Sequence, residues 1–230
     1  MSAVHPIRTV AKLVPAQEAI SAVRRGSRVM IGGFGLVGTP LTLIEALLGS
    51  DEARELTTIS NNVGEPGRGL GRVLLDGRIS HAIGSFFTSN PDVIDRRERG
   101  LLDVTVVPQG TLAEAIRAAG AGLGGFYTRT GAGTLFAQGR EERIIDGQRY
   151  LFQEAIHADV ALIRAHRADD LGNLVYRLSA RNFNPDMATA ATMTIAEVDE
   201  VVPVGELSPE EIVTPHLFVN RIVLAEPPRV

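Results

Sequence analysis

An alternation constrains this chain more than any other feature. Short apolar runs, each closed by glycine, asparagine or proline, take turns with segments of helical periodicity. "RVMIGG" at 28–33 reads as a buried strand ending in glycines, and "TPLTLIEALLGS" at 39–50 as a helix. Thr39 is placed to cap that helix, Pro40 to occupy its first position and Gly49 to end it. "ELTTIS" at 55–60 is a second strand, stopped by Asn61, Asn62 and Gly64. "RISHAIGSFF" at 78–87 is a third and "DVTVVPQG" at 103–110 a fourth. Between them lie a short polar helix, "PDVIDRRERG", and afterwards a helix from Thr111 with Leu112, Ile116 and Ala119 on one face. A further helix is expected from Ala11 to Arg24.

Strands that alternate with helices imply parallel pairing through crossover connections. The fold class expected is therefore α/β: an open, mostly parallel sheet flanked by helices. The texture changes after Gly120. "GAGLGGFYTRTGAG" is glycine-dense, "ERIIDGQRYLFQ" reads as a hairpin about Asp146-Gly147, and "DVALIRAH" and "TMTIAEVDEVV" read as strands. The second half is thus expected to be irregular or antiparallel, within a single domain over 1–230. A net charge of −4 with no basic block argues against nucleic acid, and no run approaches the roughly 18 apolar residues of a membrane span. Cysteine is absent, which removes disulfides, thiolate nucleophiles and cysteine-bound metals. A cytoplasmic chain is the expectation.

Ligands in open parallel sheets gather at the carboxyl ends of the strands. Three such ends are unusual here: Gly32 to Gly38, Asn61-Asn62, and Pro108-Gln109-Gly110. The first contains Gly33-x-Gly35-x-x-Gly38, the pattern of a dinucleotide site. That reading also needs an acidic residue at the end of the second strand and a glycine at the packed helix start. Ser60-Asn61-Asn62 carries no carboxylate, and Pro40 puts the helix after Gly38. The dinucleotide context fails, and no Gly-Lys-Ser/Thr makes a P-loop.

The same loop, "IGGFGLVGTP", resembles a segment of the alpha subunit of family I CoA transferases. "TISNNVG", "VVPQGTLAEAIRAAGAGLGGFYTRTGAGT", "HADVALIRAHRADDLGNLVYRLSARNFNP" and "VDEVVPVGELSPEEIVTP" resemble further family segments in order, so the likeness covers essentially the whole chain. The resemblance implies a CoA transferase fold and transfer of CoA between an acyl-CoA such as succinyl-CoA and a short carboxylic or 3-keto acid. Acetate and 3-oxoadipate enzymes are the neighbouring alternatives. It also implies a beta-subunit partner, in an α2β2 arrangement, which carries the catalytic glutamate in a Ser-Glu-Asn-Gly motif. That motif is absent here; Glu65 and Glu206 lie in other contexts. Coenzyme A is then a substrate, and no cofactor or metal is implied.

Carried over residue by residue, the resemblance gives Gln109 the role of oxyanion support. Asn61 and Asn62 become donors near the substrate, although alone they would be turn residues. Phe126 becomes a wall of the acyl site. Gly32, Gly33, Phe34, Gly35, Leu36, Val37 and Gly38 become the CoA-binding segment. His157 and His166 lack metal-ligand spacing. Arg181-Asn182-Phe183-Asn184 is a strong family mark for which the sequence offers no chemistry. A dehydrogenase and a non-catalytic sensor of acids or thioesters are the alternatives of other classes.

Overall fold

The computed structural model describes residues 12–226. In chain order the elements are α1 (Ala16–Ile20), β1 (Arg28–Ile31), α2 (Leu41–Leu48), β2 (Leu56–Ile59), α3 (Leu70–Leu75), β3 (Ile79–Gly84), α4 (Pro91–Glu98), β4 (Asp103–Val106) and α5 (Gln109–Gly120). The second half follows with β5 (Gly125–Thr128), β6 (Glu142–Ile145), β7 (Gln148–Glu154), β8 (Ala158–Arg164), β9 (Arg167–Asp169), β10 (Leu174–Val175), α6 (Asn184–Ala190), β11 (Ala191–Val198), β12 (Glu200–Val202) and β13 (Arg221–Leu224).

Seven strands form one sheet in the order β13-β11-β8-β1-β2-β3-β4, and every pairing in it is parallel. The reason is visible in the strands. Along β1, Val29, Met30 and Ile31 are all buried, as expected where helices cover both faces. Val29 and Ile31 join one core with Leu43, Leu47, Val73 and Val93 of α2, α3 and α4. Met30 joins the other with Leu112, Ile116 and Met187 of α5 and α6. β8 repeats the alternation, Val160 and Leu162 to the first core and Ala161 and Ile163 to the second. Each fully buried aliphatic side chain of this kind contributes about 1.5–3 kcal/mol.

The antiparallel pairing expected in the second half is real but set apart from the main sheet. β5, β7 and β6 make a three-stranded antiparallel sheet, with Asp146-Gly147 at the β6–β7 turn. Asp146 takes φ 48 and Gly147 φ 72, the positive pair that a two-residue hairpin turn requires. β10, β9 and β12 form a second small sheet.

Several expectations need correction. The helix expected over 11–24 is limited to Ala16–Ile20 among the described residues, because Ser21 and Ala22 form a turn and Arg24 closes on Ser27. The helix expected from Thr111 starts at Gln109. Two helices, α3 and α6, go beyond the sequence expectation; α3 has only six residues and follows a glycine-rich turn. Thr39 does not cap α2, and Pro40 is the cap position rather than the first helical residue. The Thr39 hydroxyl instead donates to Gly35 O at 3.1 Å. The cap comes from across the sheet: Glu197 of β11 accepts the Leu43 N–H at 3.0 Å. A carboxylate there is favoured by the helix dipole as well as by the hydrogen bond.

Candidate functional site

Chain order and strand order part company at β1. The chain runs from β1 outward to β4, then returns through α5 to place β8 on the other side of β1. Such a reversal opens a crevice beyond the strand ends. The glycine loop leaves β1 at that point, and Gly32 N–H still donates to Leu162 O of β8 at 3.0 Å.

The loop is a miniature hairpin. Phe34 N–H donates to Val37 O at 3.0 Å and Val37 N–H to Phe34 O at 3.2 Å, with Gly35 and Leu36 between them. Gly35 has φ 61, at the position where a type II′ turn places glycine. Phe34 and Val37 are each half exposed. The hairpin separates two spaces. On one side Leu36, Val37 and Gly38 line a cavity of about 730 Å³. On the other, Gly32, Gly33, Gly35 and Thr39 meet Ser60 and Asn62 around a space of about 10 Å³. A volume of that size takes a single oxygen-sized guest.

The floor of the large cavity is charged. Arg164 at the end of β8 pairs with Glu197, which is 1% exposed, and with Asp199. His166 Nδ1 lies 2.9 Å from Asp199 Oδ2. Burial pushes the Glu197 carboxyl up, opposed by Arg164 and by the Leu43 N–H. Leu36, Leu41 and Leu178 add apolar wall, and Arg68, Arg72 and Arg177 stand at its sides. An elongated ligand with an apolar stem and anionic groups suits that lining.

The structure divides the residues singled out from the sequence. Gly32, Gly33, Gly35 and Asn62 meet at the small niche, and Leu36 to Gly38 face the large cavity. Asn62 Oδ1 is used locally, accepting Gly64 N–H at 3.1 Å, and its Nδ2 has no partner among the described residues. Asn61 lies buried beside it. Its Oδ1 accepts the Ser85 hydroxyl at 2.7 Å, and its carbonyl accepts the Ser85 and Phe86 N–H groups. Gln109 is exposed at the first position of α5, on the same strand-end edge but beyond the edge strand β4, and lines neither space. Phe126 is half-buried in β5 opposite Gln153, on the separate antiparallel sheet, and also lines neither. Glu65 pairs with Arg68, and Glu206 is exposed in a turn.

Two groups of residues were legible only as anomalies. In Arg181-Asn182-Phe183-Asn184 the two asparagines hold the glycine loop. Asn182 Oδ1 accepts Gly33 N–H at 3.1 Å and its Nδ2 donates to Val37 O at 3.0 Å. Asn184, fully buried, donates to Gly38 O at 3.1 Å and accepts Arg164 N–H at 2.9 Å. Glu197 is the other: a carboxylate in the buried run "TMTIAEV" is rarely placed without a specific partner, and that oddity is the signal that finds it.

Comparison with known proteins gives the geometry its family. The pattern described as coenzyme A transferase matches residues 14–225. The chain is similar to the alpha chain of the acetate CoA-transferase of Escherichia coli (strain K12), 47% identical over 215 residues, covering 94% of this chain and 97% of that protein. It is similar to a 3-oxoadipate CoA-transferase subunit of Pseudomonas putida, 49% identical over 207 residues and 89% of each chain. In fold it is similar to the crystal structure of an acyl-CoA transferase apoenzyme from Escherichia coli O157:H7, with TM-score 0.84 and 24% identity, covering 96% of this chain and 48% of that one. This chain therefore spans about half the length of that acyl-CoA transferase chain. The chain belongs to the coenzyme A transferase family.

Proposed function

We propose that this chain is the alpha subunit of a 3-oxoacid CoA transferase, which moves CoA between an acyl-CoA such as succinyl-CoA and a short carboxylic or 3-keto acid. The observation that carries the reading is the oxygen-sized niche between the glycine hairpin and Asn62. Gly35 N–H and Asn62 Nδ2 have no partner among the described residues and border that niche. Donors held in place around one oxygen atom are what a thioester carbonyl needs as it becomes a tetrahedral oxyanion.

The attacking carboxylate belongs to a beta subunit, in an α2β2 assembly in the cytoplasm. One glutamate oxygen attacks the thioester carbon, the C–S bond breaks, and CoA leaves as thiolate. The products are an acyl–glutamyl anhydride and free thiolate. The thiolate then attacks the glutamyl carbonyl of the anhydride, releasing the first acid as carboxylate and leaving a glutamyl–CoA thioester. An acceptor carboxylate attacks that thioester, and the released thiolate takes the new acyl group, which restores the glutamate. This chain contributes the niche, with Asn62 as its side-chain donor; Asn61 and Gln109 stand outside it on the strand-end edge as further neutral donors toward the substrate. It also contributes the adjoining cavity for part of the acyl-CoA. Phe126 limits water at the acyl group from the antiparallel sheet. No metal and no further cofactor enters.

The test is coexpression with a beta subunit carrying Ser-Glu-Asn-Gly, assayed with acetate, acetoacetate and 3-oxoadipate against succinyl-CoA and acetyl-CoA. The isolated chain is expected to be inactive and the pair active. Asn62→Ala and Gln109→Ala each lower kcat by about 100-fold in an intact assembly. Turnover by the purified chain alone, or an inactive pair with every substrate, overturns the reading. The ranking of the acids decides between the 3-oxoacid activity and acetate or 3-oxoadipate as principal substrate.

A further inference from the structure

The glycine hairpin has few bonds of its own. It has one pair of cross-hairpin hydrogen bonds, two half-exposed apolar side chains and a glycine at its tip. Thr39 adds two local bonds at the tip, from its hydroxyl to Gly35 O and from its N–H to Leu36 O. The bond that joins its two arms through a side chain comes from elsewhere in the chain. Asn182, 149 residues beyond Gly33, presents its side-chain amide to both arms at once. Oδ1 accepts the Gly33 N–H of the incoming arm, and Nδ2 donates to the Val37 carbonyl of the outgoing arm. The amide has one possible orientation. Its oxygen meets only N–H groups, from Gly33, from Phe183 at 2.7 Å and from the Asn184 side-chain amide at 3.3 Å. Its nitrogen meets only carbonyls, of Val37, Ser179 and Ala180. A flipped amide would set donor against donor and acceptor against acceptor.

The amide stands on a strained stretch of backbone. Asn182 has φ 23 and Leu178, four residues earlier, has φ 50. Asparagine tolerates positive φ better than most residues, whereas leucine does not. Strain of this kind persists where the surroundings over-determine it. Here the surroundings are the hairpin itself and Asn184, which continues the clamp onto the Gly38 carbonyl.

We propose that Asn182 is a positioning residue for catalysis, which holds Gly33 and Val37 together so that the niche bordered by Gly35 and Asn62 keeps its shape through the reaction. The proposal rests on the functional reading of that niche. Asn182 lines neither the niche nor the large cavity, so it acts through the hairpin and not by contact with substrate. Gly33 N–H is spent on this bond and is not a donor to the substrate oxygen; Gly35 N–H, at the tip, remains free for it. Misplacing such a donor by about 1 Å costs on the order of 100-fold in rate.

The experiment uses the chain assembled with its beta partner. Asn182→Gly is the informative variant, because glycine keeps the positive φ and removes only the amide. It is expected to lower kcat by about 10- to 100-fold, with the KM for acyl-CoA changed less than threefold. In the same assembly, hydrogen–deuterium exchange at Gly33 accelerates by at least about tenfold, because Asn182 is its hydrogen-bond acceptor. Asn182→Asp keeps the acceptor for Gly33 but faces three carbonyls with no donor. It is expected to lose kcat while Gly33 stays protected. Wild-type kcat retained by Asn182→Gly in an intact assembly overturns the proposal. So does a fall in activity that only follows the amount assembled, or a fall in kcat with Gly33 exchange unchanged. An inactive wild-type pair instead overturns the functional reading, and the exchange measurement then still reports whether Asn182 clamps the hairpin.

Discussion

Asn182 and Gly33 are 149 residues apart in the chain and 3.1 Å apart in the fold, joined by a single hydrogen bond from a backbone N–H to a side-chain oxygen. The site is therefore a property of both halves of the chain. The first half supplies the glycines and the second supplies the template that shapes them. Neither half carries the geometry alone.

Gly32 and Gly35 are both needed, for opposite reasons, and alanine separates them. A Cβ on Gly32 would lie 1.8 Å from Asn184 Oδ1, although the Gly32 backbone has no positive φ. Gly35 has φ 61 and nothing within 4 Å of its Cβ position. Gly35→Ala therefore costs about 1–2 kcal/mol, the strain of the left-handed backbone. Gly32→Ala must displace the Asn184 amide from Arg164 N and Gly38 O, and costs about 3 kcal/mol or more. Urea denaturation of the two variants checks the order; Gly32→Ala as the milder change refutes this account.

This difference shows how far the sequence could be read. The alternation of β1, α2, β2 and their successors is local, since buried parallel strands and amphipathic helices each announce themselves within a few residues. So the sheet, its parallel sense and the strand-end position of Gly32–Gly38, Asn61-Asn62 and Gln109 were all legible. The clamp was not, because Asn182 and Asn184 act on carbonyls and N–H groups that the alphabet does not display. The start of α2 was hidden for the same reason. Thr39 and Pro40 are good local capping residues, but Glu197 on β11 is a charged acceptor already positioned by the sheet, and it took the Leu43 N–H. Tertiary placement outranked local propensity wherever a polar group arrived from another strand.

Thr58 and Thr194 make a matched pair inside the sheet. Both are buried, at 0% and 1% exposure. The Thr194 hydroxyl donates to Ala188 O at 2.8 Å, whereas Thr58 Oγ1 has no partner among the described residues. An unpaired buried hydroxyl costs about 1–3 kcal/mol. Thr58→Val is therefore expected to leave the protein as stable or to stabilise it by about 1 kcal/mol, and Thr194→Val to destabilise it by a similar amount. Opposite signs in thermal or urea unfolding are the check.

Arg78 closes the far end of α2. Its guanidinium, 5% exposed, donates to Leu48 O, Ser50 O and Ala53 O and pairs with Asp76 at 2.6 Å. A planar fork serves several carbonyls at once, and a lysine ammonium does not. Arg78→Lys is expected to cost about 1–3 kcal/mol although charge is conserved. A variant as stable as wild type would show that the carbonyls find water instead.

Glu197 makes stability depend on pH. Burial raises its folded value above the usual 4.5. From pH 4.5 up to that raised value the folded protein holds a proton that the unfolded chain has released. Its contribution is thus complete below 4.5 and drains away as pH rises through the window. Glu197→Gln removes the titration and keeps an acceptor for Leu43. The stability of the variant relative to wild type is expected to improve as pH rises from 4.5 through the raised value, measured by denaturation at several pH values. A gap that stays constant, or moves in favour of wild type, would show that Arg164 outweighs burial.

The strand order carries one more consequence, for the nascent chain. β1 pairs with β2 on one side and β8 on the other, and its register with β8 joins residues 131 positions apart. At about 5–20 residues per second, the second partner leaves the ribosome on the order of ten seconds after the first. During that interval the middle of the future sheet is an open hydrophobic edge, the kind that invites pairing with a neighbouring chain. Slower translation thus lengthens the time for which the strand that ends in the glycines stands unpaired on one side.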